Sequence, residues 1–298
     1  MVNIHEMVSG VVHLIPLPRA YLRIRELIHD PGASRVDVVT VIANDPAMTA
    51  RLLRIANSAF FGLSGKIETV SKAVAVMGLN RVHDLALATA AVPVLNELKS
   101  DLIDMHDFWR RSIYAAVVAR RLAERTGLPS PDRLFVAGLL HYAGHLILCH
   151  HLPAEMKAAK ERACNEGRPL VAIEDDIFGF DYADVGDELM SVWQLPISLR
   201  MIVGAHTRPT SAEEYIIETA MLHIACGISH AASASRDETA PDFAPVAFQI
   251  VGIAPGEVES LMHDSDAEVA EAFNLLLPKA ARLAHHACQN SPFVGAQP

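Results

Sequence analysis

The sequence predicts an all-α fold, and three observations carry that prediction. Apolar residues recur at steps of three and four in many segments, which is the period of a helix that buries one face. Strict apolar–polar alternation and Asn-Gly turns, the signals of hairpins, do not occur in the sequence. The chain has 298 residues, of which 51% are hydrophobic but only 6% aromatic, so small and aliphatic side chains must fill a sizeable core.

The first helices are predicted before Asn44. The prolines of the segment at 14–18 suit a bent entry into them. Leu22, Leu27 and Ile28 suit a short helix that ends near the turn at residues 30–32. Residues 36–42 are rich in β-branched side chains, which favour a strand, but the chain offers no partner strand. The prediction for this segment is therefore a helix.

The segment 44–61 has the clearest helical pattern. Asn44 or Asp45 can cap it, and Pro46 stands at the first helical position, where a proline is tolerated. Its apolar residues recur at helical steps, and Gly62 is the expected stop. The next helix is capped by Thr69 or Ser71 and broken at Gly78, before another over 82–95.

Glycine and proline set the limits of the later helices. Gly127 and Gly167 each follow a helical pattern in the position that ends a helix, and Pro131 and Pro196 each open one. The helices predicted in this way cover 108–125, 131–151, 153–166, 169–178, 181–193, 196–206, 213–233, 255–263 and 266–287. Residues 235–244 read as a loop.

Composition excludes several function classes. A formal net charge of −10, with 15 histidines counted as neutral, opposes binding to nucleic acid. The N-terminus has no basic region followed by an apolar one, as a signal peptide would. The most apolar stretch, Leu134–Cys149, is interrupted by histidines and is short for a membrane span. We therefore expect a cytoplasmic protein with no nucleic-acid and no membrane partner.

Familiar catalytic and metal motifs are missing. The four cysteines form no C-x-x-C pair, no nucleophile motif such as GxSxG occurs, and the GLSGK loop at 62–66 lacks P-loop spacing. The acidic cluster Glu174-Asp175-Asp176 and Asp181 could bind a cation, but such residues more often cap helices and keep a surface soluble.

His141 and His145 are the candidate metal pair. Their i, i+4 spacing puts both on one face of the predicted helix 131–151, as in paired zinc histidines, and His206 and His223 could approach them. The glutamate of an H-E-x-x-H motif is missing, however. The preferred interpretation is that both are core histidines with hydrogen-bond partners, and the metal site stays open as the alternative.

A second candidate surface lies on the helix 44–61. Arg51 and Arg54, three residues apart, could meet an acidic partner or a phosphate together with Asn57 and Ser58. The competing interpretation gives Asn57 and Ser58 hydrogen bonds at the helix end, with the arginines solvated or locally paired.

Six segments, in order, resemble the HDOD family, a group of output domains related to the HD phosphohydrolases. They are LIPLP at 14–18, NDPAMTARLLRIANSAFFG at 44–62, KAVAVMGLNRVHDLALA at 72–88, FWRRS at 108–112, FVAGLLHYAGHLIL at 135–148 and GFDYADVGDELMSVWQLP at 179–196. The resemblance implies an N-terminal helical bundle packed on an HD-like helical core. The predicted limits are 8–212 for the HDOD domain, with parts at 8–100 and 101–212, then a helical continuation at 213–288 and a disordered tail at 289–298.

The resemblance also implies a degenerate metal site. An active HD hydrolase holds its metal with a histidine, a His-Asp dipeptide and a later aspartate. At these positions the chain has Arg111, His141-Tyr142 and Cys226, and Tyr182 stands where relatives with a second metal use a histidine. The remains of the pocket are expected at Arg111, His141, Tyr142, Tyr182, His206 and Cys226.

These observations together predict a stand-alone bacterial signal-transduction module without catalytic activity, metal or cofactor. It would act through contacts with signalling proteins. Two further partners stay open: a small anionic ligand held by Arg111 in the degenerate pocket, and a second copy of the chain. The alternative is a metal-dependent phosphohydrolase with a rearranged site at His141, His145 and His206.

Overall fold

A computed structural model describes residues 3–62, 65–232 and 243–277. Helices and short 3₁₀ turns make up the regular structure of these residues, and no β-strand occurs among them, so the all-α prediction is confirmed. Most of the loop predicted at 235–244, the end of the helix predicted at 266–287 and the tail at 289–298 lie outside the described residues.

Before residue 100 the helices form an N-terminal bundle and one helix that joins the rest of the chain. Their bounds are α1 Ile4–Val12, α2 Arg19–His29, α3 Arg35–Ala43, α4 Pro46–Ala56, α5 Val70–Met77 and α6 Leu79–Leu95. Helices α2 to α6 pack on one another, whereas α1 packs against later helices. The domain start predicted at residue 8 would cut through α1.

The HD-like part begins at α7. Its helices are α7 Met105–Thr126, α8 Pro131–Leu140, α9 Ala143–His151, α10 Pro153–Glu166, α11 Leu170–Phe178, α12 Tyr182–Val192, α13 Ile197–Ala205 and α14 Ile216–Ala231. Helix α7 is the centre of this part because it packs along both α8 and α14. Helix α12 packs on α9 and α13, and α1 lies across α12 and α9.

The C-terminal helices differ from the prediction. A short helix, α15 Pro245–Val251, was not predicted, and the two helices predicted at 255–263 and 266–287 begin as one continuous helix, α16 Val258–Leu276. A 3₁₀ turn precedes α16, which then runs without a break through residues 264 and 265, between the two predicted helices. Helix α16 packs on α7 and α4, so it connects the HD-like part to the N-terminal bundle.

The ambiguous segment 36–42 is helical, as predicted. A capping box starts α3: the Ser34 hydroxyl accepts from the Asp37 backbone N–H, and the Asp37 carboxylate accepts from the Ser34 backbone N–H. These two bonds satisfy amide groups that would otherwise lack partners at the first turn. Val38 and Ile42 are buried on one face, which outweighs the strand preference of the β-branched residues.

The helix predicted over 131–151 is divided, and this is a correction. It ends at Leu140 and restarts at Ala143, with His141 and Tyr142 between α8 and α9. Tyr142 has φ −96° and ψ 4°, outside the helical range, so the two halves take different directions. The stretch Pro131–His151 is long and apolar enough to cross a membrane, but 89% of its most apolar window is buried inside the fold.

A buried ionic group connects α6, α7 and α8. The Asp132 carboxylate contacts Arg81 at 2.5 Å and Arg120 at 3.3 Å, and Arg120 also lies over the rings of Phe60 and Phe61. Burial raises the pKa of Asp132, although the two guanidinium groups oppose the shift. The phenylalanines are core residues, packed by a cation–π contact.

Candidate functional site

The residues of the predicted pocket do meet, at the division between α8 and α9. We call them the central cluster: Arg111, His141, Tyr142, Tyr182, His206 and Cys226. Helix α7 carries the arginine, α12 begins with Tyr182, α13 ends before His206, and α14 carries the cysteine. Tyr182 is partly buried and the other five are buried, so the cluster lies inside the HD-like part.

The two histidines of the central cluster have the same tautomer. Nδ1 of His141 donates to the Gly138 carbonyl at 2.6 Å, and Nδ1 of His206 donates to the Val203 carbonyl at 2.5 Å. Each Nε2 therefore carries a lone pair that faces the cluster. The Tyr182 hydroxyl donates to Nε2 of His206 at 3.1 Å. Both rings are thus oriented by backbone bonds at the ends of their helices.

Arg111 contacts Tyr142 in two ways. Its guanidinium donates to the Tyr142 hydroxyl at 3.0 Å and lies 4.9 Å from the centre of the same ring. Tyr142 in turn stacks on His145, with ring centres 4.5 Å apart and an angle of 11° between the planes. A fixed positive charge therefore stands at the position where the resemblance expects a metal ligand.

His145 does not join the metal arrangement predicted for it, which corrects the alternative set of His141, His145 and His206. Its Nδ1 lies 3.6 Å from the Glu174 carboxylate, and its Nε2 lies 3.5 Å from the Cys149 sulfur. The i, i+4 argument fails because His141 lies in the division between α8 and α9 rather than in one helix with His145. His145 is a core histidine with partners, as the preferred interpretation held.

Cys226 takes the place predicted for His145. One ligand atom each from His141, His206 and Cys226 lie within 4.8 Å of one another, which makes these three residues a candidate metal-binding set. Imidazole and thiolate ligands suit zinc or copper rather than magnesium or manganese. The Tyr182 hydroxyl already occupies the His206 lone pair, and Arg111 adds a like charge, so the set resists a cation.

Burial keeps the central cluster neutral apart from Arg111. It lowers the pKa of His141 to about 4, helped by the charge of Arg111, and lowers the pKa of His206 to about 3, helped by His141. Burial also raises the pKa of the Cys226 thiol and of the Tyr182 hydroxyl well above their usual ranges. The histidines and the thiol are therefore uncharged near neutral pH.

The central cluster does not fit the metal of an HD hydrolase. Such a site needs carboxylate oxygens for a hard divalent ion, and none of the six residues has a carboxylate. The two nearest candidates are engaged in the fold. Glu174 accepts from the Tyr182 backbone N–H at 2.9 Å, and Asp181 caps α12 and accepts from the Thr207 hydroxyl.

Two residues have a larger part in this site than the sequence suggested. Glu174 was expected at the surface with its acidic neighbours, but it is fully buried and fixes the start of α12 beside His145. His223 donates from Nδ1 to the His206 carbonyl at 2.8 Å and accepts at Nε2 from the Ala244 N–H. Helical spacing places Glu174 on the face of Leu170 and Ile173, which is the signal that could have revealed its burial.

The second predicted surface separates into three different environments. Asn57 donates to the carbonyls of Leu53 and Ile67 and accepts from the Ile67 N–H, so it fixes the chain after α4. Ser58 donates to the Ile55 carbonyl. The competing interpretation of these two residues is confirmed. Arg54 is exposed, whereas Arg51 lines a cavity, so the two arginines do not share one surface.

Comparison with known proteins agrees with the sequence segments. A family model for the HDOD domain matches residues 14–209. The chain is also similar to a protein of Treponema pallidum (strain Nichols) that carries the name uncharacterized protein, at 27% identity over 205 residues. That match covers 67% of this chain and 39% of the relative, so the chain spans about two fifths of the relative's length.

Solved structures share the fold over most of the chain. An HDOD domain protein of unknown function from Geobacter sulfurreducens has a TM-score of 0.71 at 22% identity, over 92% of this chain and 97% of that one. A candidate phosphohydrolase from Shewanella amazonensis SB2B has a TM-score of 0.70 at 25% identity, over 92% of this chain and 100% of that one. A candidate signal transduction protein from Marinobacter aquaeolei VT8 has a TM-score of 0.65 at 21% identity, over 95% of this chain and 67% of that one.

Proposed function

The chain belongs to the HDOD family, and we propose that it is a non-catalytic regulatory module of bacterial signal transduction that acts through contacts with other proteins. One observation carries the proposal. The buried Arg111 guanidinium, bonded to Tyr142, stands where the resemblance expects a metal-binding histidine, in a cluster without carboxylates. A cation there would meet a fixed positive charge in a medium of low dielectric constant.

The alternative function is metal-dependent phosphohydrolysis. A structural relative bears the name of a candidate phosphohydrolase, and the ligand atoms of His141, His206 and Cys226 lie close together. That reaction requires a metal-bound water at low pKa and an oxygen-rich site for the phosphate ester. We propose the regulatory function because Arg111 and the hydrogen-bonded His206 oppose both requirements.

Metal content and hydrolysis distinguish the two functions. We expect purified protein, tested with Mn²⁺, Mg²⁺, Fe²⁺ and Zn²⁺ in turn, to hydrolyse bis(p-nitrophenyl) phosphate no faster than buffer containing the same metal. The variants His141→Ala and His151→Ala should be equally inactive, the second being an exposed control from α9. Turnover that disappears in His141→Ala but persists in His151→Ala, with one bound metal per chain, would show an enzyme.

Exposed apolar side chains can mark a protein-interaction surface, and two neighbouring helices of the N-terminal bundle each carry one. Val36 on α3 is 68% exposed and Val76 on α5 is 50% exposed, and these helices pack against each other. We propose that these two helices meet the protein partner inside the cytoplasm.

Substitution of both valines tests the partner surface. We expect Val36→Lys combined with Val76→Lys to lose the proteins that cross-link to wild type in its native cell, with an unchanged unfolding midpoint. Ile177→Lys, at a 41% exposed position on α11, is the matched control and should retain them. Equal cross-linking by all three proteins would contradict the assigned face. Light scattering shows whether the partner is a second copy of the chain.

A further inference from the structure

A cavity of about 530 Å³ lies away from the central cluster, where the N-terminal bundle meets α7 and α16. Its walls come from α4, the second half of α6, the start of α7 and the last turn of α16. Ile55, Val92, Trp109 and Leu276 give it an apolar interior. Its volume falls within the range of about 300–1,000 Å³ that is typical of pockets for small organic ligands.

Arg51 brings a positive charge to this apolar cavity. Arg51 is partly buried, and its buried Nε has no hydrogen-bond partner and its guanidinium no ion pair among the residues that the structure describes. A buried donor without a partner costs free energy, and a charged one costs more, unless a ligand or water satisfies it. The guanidinium fork matches a carboxylate, which it can hold by two parallel hydrogen bonds.

The mouth of the cavity is lined by His106 and Phe273. His106 is exposed at the first turn of α7, and its ring centre lies 5.0 Å from that of Phe273 on α16. Deeper in, Trp109 donates from Nε1 to the Asn96 side-chain oxygen at 2.7 Å, so its indole is held in place as part of the wall. The cavity therefore combines a largely apolar lining with one cationic side chain, Arg51.

We propose that this cavity binds a small organic carboxylate with an apolar tail, such as a medium-chain fatty acid. Arg51 holds the carboxylate, and the tail lies against the aliphatic and indole side chains. This goes beyond the regulatory function proposed above, because it assigns a ligand to a site outside the central cluster. It also replaces Arg111 as the anion-binding residue, since Arg111 is buried and bonded to Tyr142.

Decanoate binding to the full chain tests the proposal through Trp109. The protein has two tryptophans, so a Trp193→Phe background leaves the cavity residue as the only indole fluorophore. We expect decanoate to change the Trp109 emission in a saturable way, and calorimetry on wild type to give the same dissociation constant with one site. Decanol, which lacks the charge, and acetate, which lacks the tail, should each bind at least about tenfold more weakly.

Two arginines three residues apart make a matched pair of variants. Arg51→Gln should weaken decanoate binding at least about tenfold and leave decanol binding unchanged, whereas Arg54→Gln, at an exposed position, should bind as wild type does. Val92→Phe, which keeps the charge but fills the cavity, should bind neither probe. A circular-dichroism melt confirms that each variant is folded.

Three results would overturn the proposal. Equal binding of decanoate by Arg51→Gln and Arg54→Gln would remove the role of Arg51. Emission of Trp109 that does not respond to decanoate, together with no heat of binding, would remove the ligand. Binding that appears only after truncation at Leu277 would show that residues 278–298 of the chain, rather than a ligand, are the natural occupant.

Discussion

Replacement of Gly144 by alanine is expected to lower the free energy of unfolding by about 3 kcal/mol or more. Gly144 lies in the first turn of α9, directly against the backbone of α12. A Cβ atom there would overlap the Tyr182 carbonyl oxygen and would lie 2.7 Å from the Gly186 nitrogen. These are backbone atoms that cannot rotate aside, so α9 and α12 would have to separate.

Urea unfolding measures this effect, and Gly10→Ala is the matched control. Gly10 lies within α1, and an added Cβ there would meet no atom within 4 Å. That substitution should raise stability by about 0.5–1 kcal/mol, because alanine has the better helix propensity. Near-UV circular dichroism of Gly144→Ala should also change, since Tyr142 directly precedes α9 and Tyr182 begins α12. Equal stability of Gly144→Ala and wild type would refute the close approach of α9 and α12.

The start and end of a helix could be predicted from the sequence where nearby capping residues define them. Ser34 and Asp37 form a capping box that starts α3, and Asp45 with Pro46 starts α4 as predicted. Gly127 and Gly167 end their helices with φ of 72° and 62°, a conformation that glycine adopts without strain. These features depend on residues within a few positions of one another, so the sequence alone could predict them.

The central cluster could be predicted only in part, because its geometry depends on the division between α8 and α9. The resemblance identified Arg111, Tyr142 and Cys226, and the structure brings them together. The spacing of His141 and His145 was misleading, since it assumed a continuous helix through a segment with no internal proline. Directly after the division, Gly144 packs closely against α12, a contact 38 to 42 residues away in sequence that no local pattern records.

The cavity beside Arg51 shows a second limit of sequence reasoning. Arg51 and Arg54 share one helix, and their three-residue spacing gave both the same interpretation. Helix α16 decides between them, because its last turn encloses the side of α4 that carries Arg51 and leaves Arg54 exposed. The residues of α16 lie more than 200 positions later, and no local pattern on α4 records their contact.

Lowering the pH from 7 to 5 is expected to destabilise the fold through His141 and His206 by about 4 kcal/mol in total. In the folded protein the pKa of His141 is about 4 and that of His206 is about 3, both below the ordinary value of 6.5. Well above pH 6.5 both histidines are neutral in the folded and unfolded states, so they add no pH dependence there. Between pH 6.5 and 4 the unfolded chain binds protons at these two histidines that the folded protein does not bind, so the free energy of unfolding decreases as the pH is lowered.

Each histidine can be tested by the slope of stability against pH. Between pH 6 and 5 each histidine should lower the free energy of unfolding by about 1.2 kcal/mol. The free energy of unfolding of His141→Gln and of His206→Gln should therefore fall by about 1.2 kcal/mol less than that of wild type over this pH unit. His151→Gln, at an exposed position on α9, controls for the loss of a histidine elsewhere. Differences between variants and wild type are needed because Asp132 and Asp181 act in the opposite direction: burial raises their pKa values, so the folded state gains protons there.

The slopes also test the description of the central cluster itself. A neutral His206 accepts the Tyr182 hydroxyl at Nε2 and donates from Nδ1 to Val203, so a proton added at Nε2 would break the bond to Tyr182. It would also place a second positive charge in a buried cluster that already holds Arg111. Arg111→Met removes that charge and should therefore raise the pKa of His141, which reduces the loss of stability at pH 5. Unchanged slopes in His141→Gln and His206→Gln would mean that the folded protein protonates these histidines as readily as the unfolded chain does.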